Sequence, residues 1–314
     1  MSENQNNSFG RSKRYPTTRD GDTMNIGTGL SYDPDSRTLS ANEGHMEAGT
    51  GENSLIAGTG ANASATSSIA IGYNANAAAA SSIAIGAAAL ASATAPDTVA
   101  IGPGAQANGT DSVIIGVGAV GAAGADGAII IGGHSEITAP GNSNFTMVLG
   151  YKADATGYAN IAGGYKANVS GNGGAIAFGY QATAAGYQAL AFGSATASKD
   201  GTFAGGYKAS AGAVHASALG YKANASGTAS IAVGLNAAAS AASAIAIGTG
   251  AQATAANTVA LGGVTGTANS VALPFGTVGD FLVCTASGVW TRLAKGNDGE
   301  VLKMVSGAPA WATP

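Results

Sequence analysis

The segment Ser68–Ala77 reads SIAIGYNANA, and variations on these ten letters fill most of the chain. The core phrase, a branched apolar residue followed by alanine, a variable residue and glycine, occurs fifteen times when close variants such as VIIG and FAGG are included. The steps between copies run from 13 to 18 residues and are most often 14. A fixed period of this length is typical of a repeat architecture in which every copy adds one structural layer. The closing glycines are Gly58, Gly72, Gly86, Gly102, Gly116, Gly132, Gly150, Gly164, Gly179, Gly193, Gly206, Gly220, Gly234, Gly248 and Gly262.

Each copy has two halves that alternate with a period of two, first Ile69-x-Ile71 and then Ala75-x-Ala77. A period of two predicts strands, and the β-branched residues of the first half favour them. Alanine favours helices, but a glycine in every copy argues against one. Each copy therefore predicts a strand, a glycine turn, a second strand and a second turn. Such coils stack as parallel strands about 4.8 Å apart, so about fifteen coils would form a rod on the order of 70 Å long.

The alternation also predicts which side chains fill the coil. We expect the Ile, Val and Leu side chains of the first strand to point inward against the alanines of the second strand. The alanines between them would then point outward. An exposed alanine-lined sheet on a rod invites self-association, and we predict a parallel homotrimer. The expected outward residues include Ala70, Ala84, Ala100, Ala162, Ala177 and Ala191.

Composition excludes several classes of protein. The chain has 314 residues, of which 50 are glycine and 10% are charged, and its net charge is −4. A mean hydropathy of +0.18 argues against a disordered chain, and the acidic balance argues against a nucleic-acid partner. Because there is one cysteine, Cys284, no intrachain disulfide framework is possible. The N-terminal residues lack the apolar segment of a secretory signal, and no apolar run predicts membrane insertion.

The form S-(I/V)-A-I-G-x-x-A-x-A, repeated every 14 residues, resembles the heads of trimeric autotransporter adhesins. The resemblance covers about residues 54–273. It implies an all-β fold, a left-handed parallel β-roll or β-solenoid of about fifteen coils packed as a homotrimer, with short β-rich segments at both ends. Those adhesins also carry an export signal, a coiled-coil stalk and a membrane-anchoring barrel, and this sequence shows none of these patterns.

Residues 275–314 contain a different and shorter repeat, because segment 276–290 is echoed by segment 296–311. Its pattern, G-x-x-G-x-x-L followed in the second copy by G-x-x-x-W, is similar to segments of bacteriophage tail fibres. Segment 27–42, GTGLSYDPDSRTLSAN, resembles a short hairpin of fibre proteins. We expect Trp290 and Trp311 to be packing anchors, with sugar stacking as the alternative. The matched positions are Gly276, Gly279, Leu282 and Trp290 in the first copy and Gly296, Gly299, Leu302 and Trp311 in the second.

These resemblances predict a non-enzymatic fibre of a phage virion, a tail fibre involved in host attachment that assembles in the cytoplasm of the infected cell. Residues 1–53 would attach it to other virion proteins, 54–274 would form the β-roll, and 275–314 would form a tip or a second connection. One alternative is a capsid or connecting fibre without a receptor role, another is a passenger head fragment of a bacterial trimeric adhesin, and a third is a depolymerase. We predict no catalytic residue, cofactor or metal, since His45, His134 and His215 lack metal-ligand spacing.

A recurring G-Y-K-A phrase is the main candidate for binding. Its tyrosines and lysines share one phase of the repeat, so stacked coils would align them as a stripe along one edge. The stripe would contact a host-surface glycan, protein or anionic polymer; alternatively it is a solvated edge, or its tyrosines pack between chains. Longer coils between Gly86 and Gly150 form a second candidate region, or a tolerated decoration. The stripe residues are Tyr151, Lys152, Tyr165, Lys166, Tyr207, Lys208, Tyr221 and Lys222.

Overall fold

The computed structural model describes residues 46–138 and 143–262 in full, and 293–314 except residue 306. For residues 24–25, 30–33, 38–41, 281–286 and 289–292 it gives the course of the backbone. The chain divides into two compact units, Met1–Val264 and Thr265–Pro314. Within the described ranges, no helix is long and apolar enough to cross a membrane. The predicted division into three regions at residues 53 and 274 stays a prediction.

The first unit contains a β-solenoid of about fourteen turns, in which each turn adds one strand to each of two parallel sheets. Its three-residue strands form the long-strand sheet: β5 (Leu55–Ala57), β7 (Ile69–Ile71), β9 (Ile83–Ile85), β11 (Val99–Ile101), β13 (Val113–Ile115), β15 (Ile129–Ile131), β17 (Met147–Leu149), β19 (Ile161–Gly163), β21 (Ile176–Phe178), β23 (Leu190–Phe192), β25 (Phe203–Gly205), β27 (Ser217–Leu219), β29 (Ile231–Val233), β31 (Ile245–Ile247) and β33 (Val259–Leu261). Its two-residue strands form the short-strand sheet: β6 (Asn62–Ala63), β8 (Asn76–Ala77), β10 (Leu90–Ala91), β12 (Gln106–Ala107), β14 (Val120–Gly121), β16 (Glu136–Ile137), β18 (Asp154–Ala155), β20 (Asn168–Val169), β22 (Thr183–Ala184), β24 (Thr196–Ala197), β26 (Ser210–Ala211), β28 (Asn224–Ala225), β30 (Ala238–Ala239) and β32 (Gln252–Ala253). This arrangement confirms the all-β solenoid that the repeat predicts.

Equivalent residues of successive coils lie in register, so the repeat stacks identical positions on one another. Ile69 pairs with Ile83, and Ala70 pairs with Ala84. In most coils, the residue that closes the long strand must be glycine for two reasons: its backbone has a positive φ, and the next coil lies too close for a side chain. Gly72 has a φ of 130°, and a Cβ there would lie 2.6 Å from the carbonyl carbon and oxygen of Gly86. A side chain would therefore clash with the next coil and strain the backbone.

The expected direction of the side chains was wrong. In most long strands the middle residue is buried and the two flanking residues are partly exposed, as in β7, where Ala70 is buried between Ile69 and Ile71. The buried alanines of the long strands face a second buried pair in each coil, such as Ala75 and Ala77. Alanine meets alanine in the core because the two sheets are joined by turns of only a few residues. That close approach leaves no room for two branched side chains.

Five larger side chains enter the core in the middle of the solenoid: Ile114, Ile130, Ile137, Val148 and Val169. Ile114 shows how one is accommodated. A Cβ on Gly121, in the short strand of the same coil, would lie 2.9 Å from the Cδ1 atom of Ile114. The glycine therefore makes the space that the isoleucine fills, and the expected pairing of large with small side chains holds at this position.

Buried hydroxyl groups close the turn that leads into many of the long strands. Ser68 Oγ donates to the carbonyl of Ala65 at 2.7 Å, and Thr98 Oγ1 donates to the carbonyl of Ala95 at 2.9 Å. Both side chains are fully buried. These bonds satisfy polar groups that would otherwise be costly beside an alanine core.

Strands outside the solenoid are antiparallel. β4 (Met46–Ala48) pairs with β5 and extends the long-strand sheet at its first edge. Before it, β1 (Met24–Asn25), β2 (Leu30–Asp33) and β3 (Thr38–Ala41) form a small sheet. β2 and β3 pair from Asp33 with Thr38 onward, which places a hairpin where the sequence suggests one.

The second unit contains two hairpins, one in each copy of the short repeat. The first joins β34 (Phe281–Ala286) to β35 (Val289–Leu293), and the second joins β36 (Val301–Val305) to β37 (Ala308–Ala312). Trp311 lies on the second hairpin, where its Nε1 donates to the carbonyl of Ala294 at 2.6 Å. A Cβ on Gly296 would lie 2.5 Å from the indole ring. This tryptophan therefore packs within its own unit, as expected of an anchor; the side chain of Trp290 and that of Cys284 lie outside the described residues.

Candidate functional site

The outer surface of the long-strand sheet, here called the apolar face, is an extended exposed apolar feature of the solenoid. It consists of the first and third residues of strands β5 to β33. Apart from Ser217, all of these residues are apolar. Several bulky ones are strongly exposed, among them Ile131 at 48% and Phe178 at 53%. Large exposed apolar patches commonly mark interaction sites, so this face is a candidate for one.

Aromatic and leucyl side chains cover gaps in this face. Phe178 pairs with Gly163 and lies over it, and Leu219 pairs with Gly205 in the same way. A Cβ on Gly205 would lie 2.9 Å from the Cδ1 atom of Leu219. The large residues thus use the space above the glycines of neighbouring coils. The face stays filled even where a coil contributes no side chain.

The outer surface of the short-strand sheet, here called the polar face, has the opposite character. Its residues are mostly amides, hydroxyls and carboxylates, as at Asn76, Gln106 and Thr196. Asn62 Nδ2 donates to Asn76 Oδ1 in the next coil at 3.0 Å. Because polar side chains remain hydrated on a surface whereas apolar ones do not, the polar face is suited to water and the apolar face to a protein partner.

Two carboxylates lie on neighbouring coils of the polar face. Glu136 pairs in register with Asp154, whose Oδ1 atom is buried without a hydrogen-bond partner. Burial raises the pKa of Asp154, and the nearby charge of Glu136 raises that pKa further. In the described part of the chain, no group of three or more His, Cys, Asp or Glu side chains could hold a metal ion.

The eight stripe residues lie on one edge of the solenoid, here called the tyrosine edge, in the turn that follows each long strand. Tyr151 and Tyr165 stack with ring centroids 6.0 Å apart, and Tyr165 and Tyr180 stack at 5.3 Å. Tyr207 and Tyr221 form a second stack, at 5.3 Å. The sequence therefore placed the tyrosines on one edge, but the structure divides them into two stacks.

Each stripe lysine lies beside the tyrosine that precedes it. Lys152, Lys166, Lys208 and Lys222 each place Nζ 5.3 Å from the centroid of the adjacent ring. All four have a φ of 53–55°, a left-handed conformation that lysine adopts at some cost. One coil earlier, His134 occupies the position of the repeat that the lysines occupy and also has a left-handed conformation. Its ring meets the ring of Tyr151 edge-on, with centroids 5.7 Å apart. Cation–π attraction fixes the lysines close to the rings, which makes the edge both aromatic and cationic.

The opposite edge carries aromatic residues that sequence reasoning missed. Tyr158 and Tyr187 lie in the turn that follows a short strand, and both are exposed. Phe145 meets Tyr158 edge-on, with ring centroids 5.9 Å apart. A sequence pattern could have identified these two tyrosines, because both follow a glycine in the second half of a repeat. Their different phase from the G-Y-K-A phrase is what separates the two edges.

The extra residues of the longer coils belong to this opposite edge as well. Segments 92–98 and 122–128 each connect a short strand to the next long strand. Segment 138–146 has the same place, but residues 139–142 lie outside the described ranges. His215 is exposed on this edge, with its ring beside Gly201. His45 lies outside the described residues. The longer turns and the tyrosine edge are therefore on different sides of the solenoid.

Comparison with known families agrees with this geometry. Six segments of the chain match the YadA head domain repeat, a unit of trimeric autotransporter adhesin heads: residues 50–75, 63–89, 93–119, 172–195, 211–237 and 239–263. The chain is thus similar to these heads over much of its solenoid. Coils between residues 120 and 171, where larger side chains enter the core and the turns lengthen, lie outside the matches. No curated protein matches the chain.

Proposed function

We propose that the chain is a non-enzymatic fibre protein that assembles as a parallel homotrimer and presents a surface for attachment. The observation that carries this proposal is the apolar face, on which bulky side chains such as Ile131, Phe178 and Ile247 are strongly exposed in the single chain. Three solenoids packed side by side would bury their apolar faces around a common axis and leave the polar faces in water. The similarity to YadA head repeats supports both the number three and a left-handed coil.

Burial energy favours association. Fully burying one Ile, Leu or Phe side chain contributes about 1.5–3 kcal/mol. Ile131, Phe178, Leu219 and Ile247 are each more than 40% exposed in the single chain, so each retains a large part of that contribution for an interface. Repeated over about fourteen coils, this gain exceeds the cost of bringing the chains together. We therefore expect the chain to be stable mainly as the proposed trimer and to be poorly soluble when separated.

The finer proposal is a fibre of a phage virion, most specifically a tail fibre that attaches to a host. It is supported by the short glycine and tryptophan repeat of the second unit and by the hairpin of β2 and β3, both of which resemble segments of tail fibres. Residues 1–53 would join other virion proteins and residues 275–314 would form a tip or a further connection. Host-surface glycan or protein would be the external partner.

A second candidate is a head fragment of a bacterial trimeric adhesin. The matches to the YadA head domain repeat favour it, because they describe the solenoid directly. The two candidates share the trimeric solenoid and differ in the particle that carries it. A capsid or connecting fibre without a receptor role is a third possibility.

Labelling with antibody in electron microscopy separates these candidates. Antibody against the polar face residues is applied to purified phage particles and to uninfected bacteria. The proposal predicts label on fibres that project from the phage tail and none on the bacteria. Label on the bacterial surface would replace the phage proposal by the adhesin, and label on the capsid would replace the tail fibre by a decorating fibre.

A further inference from the structure

Between Tyr151 and Tyr221 the tyrosine edge is interrupted once, at the coil that begins with β23. In that coil three residues, Gly193, Ser194 and Ala195, connect the long strand to the short strand. Four residues, 72–75, do so in the coil of β7. Ser194 stands at the position of the tyrosine, and the left-handed residue that follows the tyrosine elsewhere is missing. The shorter turn and the small side chain leave a notch in the edge, defined here by Tyr180, Ser194 and Tyr207.

One tyrosine ring flanks the notch on each side. Tyr180 stacks on Tyr165 with an interplanar angle of 10°, so its second face points towards the notch. Tyr207 stacks on Tyr221, so its second face points to the notch from the other side. The exposed fractions of the side chains agree with an open face on Tyr180. Tyr180 is 58% exposed, whereas Tyr165, which has rings on both sides, is 40% exposed. Two coil steps separate the rings, which amounts to about 10 Å.

The turn of Tyr180, beside the notch, carries a backbone carbonyl that lacks its usual donor. In the preceding coils, the amide of the left-handed residue donates to the carbonyl of the tyrosine one coil earlier. Lys166 N donates to Tyr151 O at 3.0 Å, and Gln181 N donates to Tyr165 O at 2.9 Å. Because the shortened turn lacks the corresponding residue, no amide of the described chain donates to the carbonyl of Tyr180. A backbone carbonyl without an amide donor can accept a hydroxyl from water or from a ligand.

We propose that the notch binds one pyranose ring of a glycan. The C–H groups on the two faces of a pyranose pack against the electron-rich faces of aromatic rings. Contacts at about 4 Å from each ring plane need about 8 Å between the two rings, which the notch provides after a small tilt of the side chains. A sugar hydroxyl donates to the carbonyl of Tyr180. This inference rests on the proposed function, since an attachment fibre is what meets glycans at a cell surface.

The test uses the full chain and methyl glycosides of glucose, galactose, mannose, N-acetylglucosamine and glucuronic acid as probes. Saturation-transfer NMR detects binding, and titration gives the dissociation constant. We expect at least one glycoside to bind, and Tyr180→Ala and Tyr207→Ala each to weaken that binding at least tenfold. Tyr73→Ala is the matched control, because Tyr73 is exposed on the same edge and has no ring stacked on it in the described chain. Its binding should equal that of the unmodified protein.

A second variant fills the notch without removing either ring. Ser194→Tyr places a side chain between Tyr180 and Tyr207, so binding should disappear while the circular dichroism spectrum stays unchanged. The proposal is overturned if none of the five glycosides binds, if Tyr73→Ala weakens binding as much as Tyr180→Ala, or if Ser194→Tyr still binds. None of these results alters the mass of the assembly or its place on the particle, so they are distinguishable from a failure of the proposed function.

Discussion

Replacing one buried alanine by leucine would test whether the solenoid has an alanine core. Ala177 is fully buried in β21, and its neighbours in the adjacent coils are Ala162 and Ala191. Leucine adds three carbon atoms to a layer in which the facing residues, Ala182 and Ala184, are also fully buried. Overpacking of this kind costs about 1–3 kcal/mol, and a stack of identical small residues has little freedom to yield, so we expect about 3 kcal/mol. A cost of about 3 kcal/mol would lower the Tm by roughly 6–12 °C.

The matched control introduces the same side chain on the polar face. Thr196 is exposed in β24, so Thr196→Leu should change the free energy of unfolding by less than about 0.5 kcal/mol. Circular dichroism followed during heating measures both variants at one protein concentration. Equal Tm values for Ala177→Leu and the unmodified protein would refute the alanine core. That result would favour the alternative in which the isoleucines of the long strands fill the core.

The remaining predictions concern a turn glycine and a carboxylate. Gly72→Ala should destabilise by roughly 2–6 kcal/mol, because overlap with Gly86 and backbone strain each cost about 1–3 kcal/mol. Gly250→Ala, where a Cβ meets nothing within 4 Å, should cost much less when both are measured by urea unfolding. For Asp154, the raised pKa means that its contribution to stability is full below the unfolded-state pKa and is lost as pH rises through the folded-state pKa. Asp154→Asn should therefore raise the Tm at pH 7 and lose that advantage on acidification, and an unchanged difference across pH would contradict the assignment. Glu136→Gln should give a smaller gain, because the charge of Glu136 is a lesser cause of the raised pKa than burial.

The sequence predicted the solenoid because its repeat acts at the level of the backbone. Each copy has a glycine turn and two halves with a period of two. This pattern defines a coil regardless of the direction in which the side chains point. Gly72 illustrates this, since its φ and its contact with Gly86 follow from the stacking alone. The tyrosines were also predictable, because equal phase in a repeat becomes equal position along an edge.

Side-chain direction was not predictable in the same way. A period of two shows that Ile69 and Ala70 point to opposite faces but does not say which face is inside. Size usually decides, and large apolar residues usually fill a core. Here the turns hold the two sheets so close that alanine fills the space, and Ile69 lies outside where another chain can cover it. The notch at Ser194 was hidden for a related reason, because a missing residue in one turn becomes visible only when neighbouring coils are stacked.

The mass of the full chain in solution shows whether the chain forms a trimer. We expect an assembly of three chains of 29.9 kDa each, measured by native mass spectrometry or light scattering at micromolar concentration. It also predicts that Ile131→Asp combined with Ile247→Asp, both on the apolar face, breaks the assembly. Asn224→Asp on the polar face should leave it intact. A monomeric unmodified chain, or a trimer that survives both charges on the apolar face, would contradict the account.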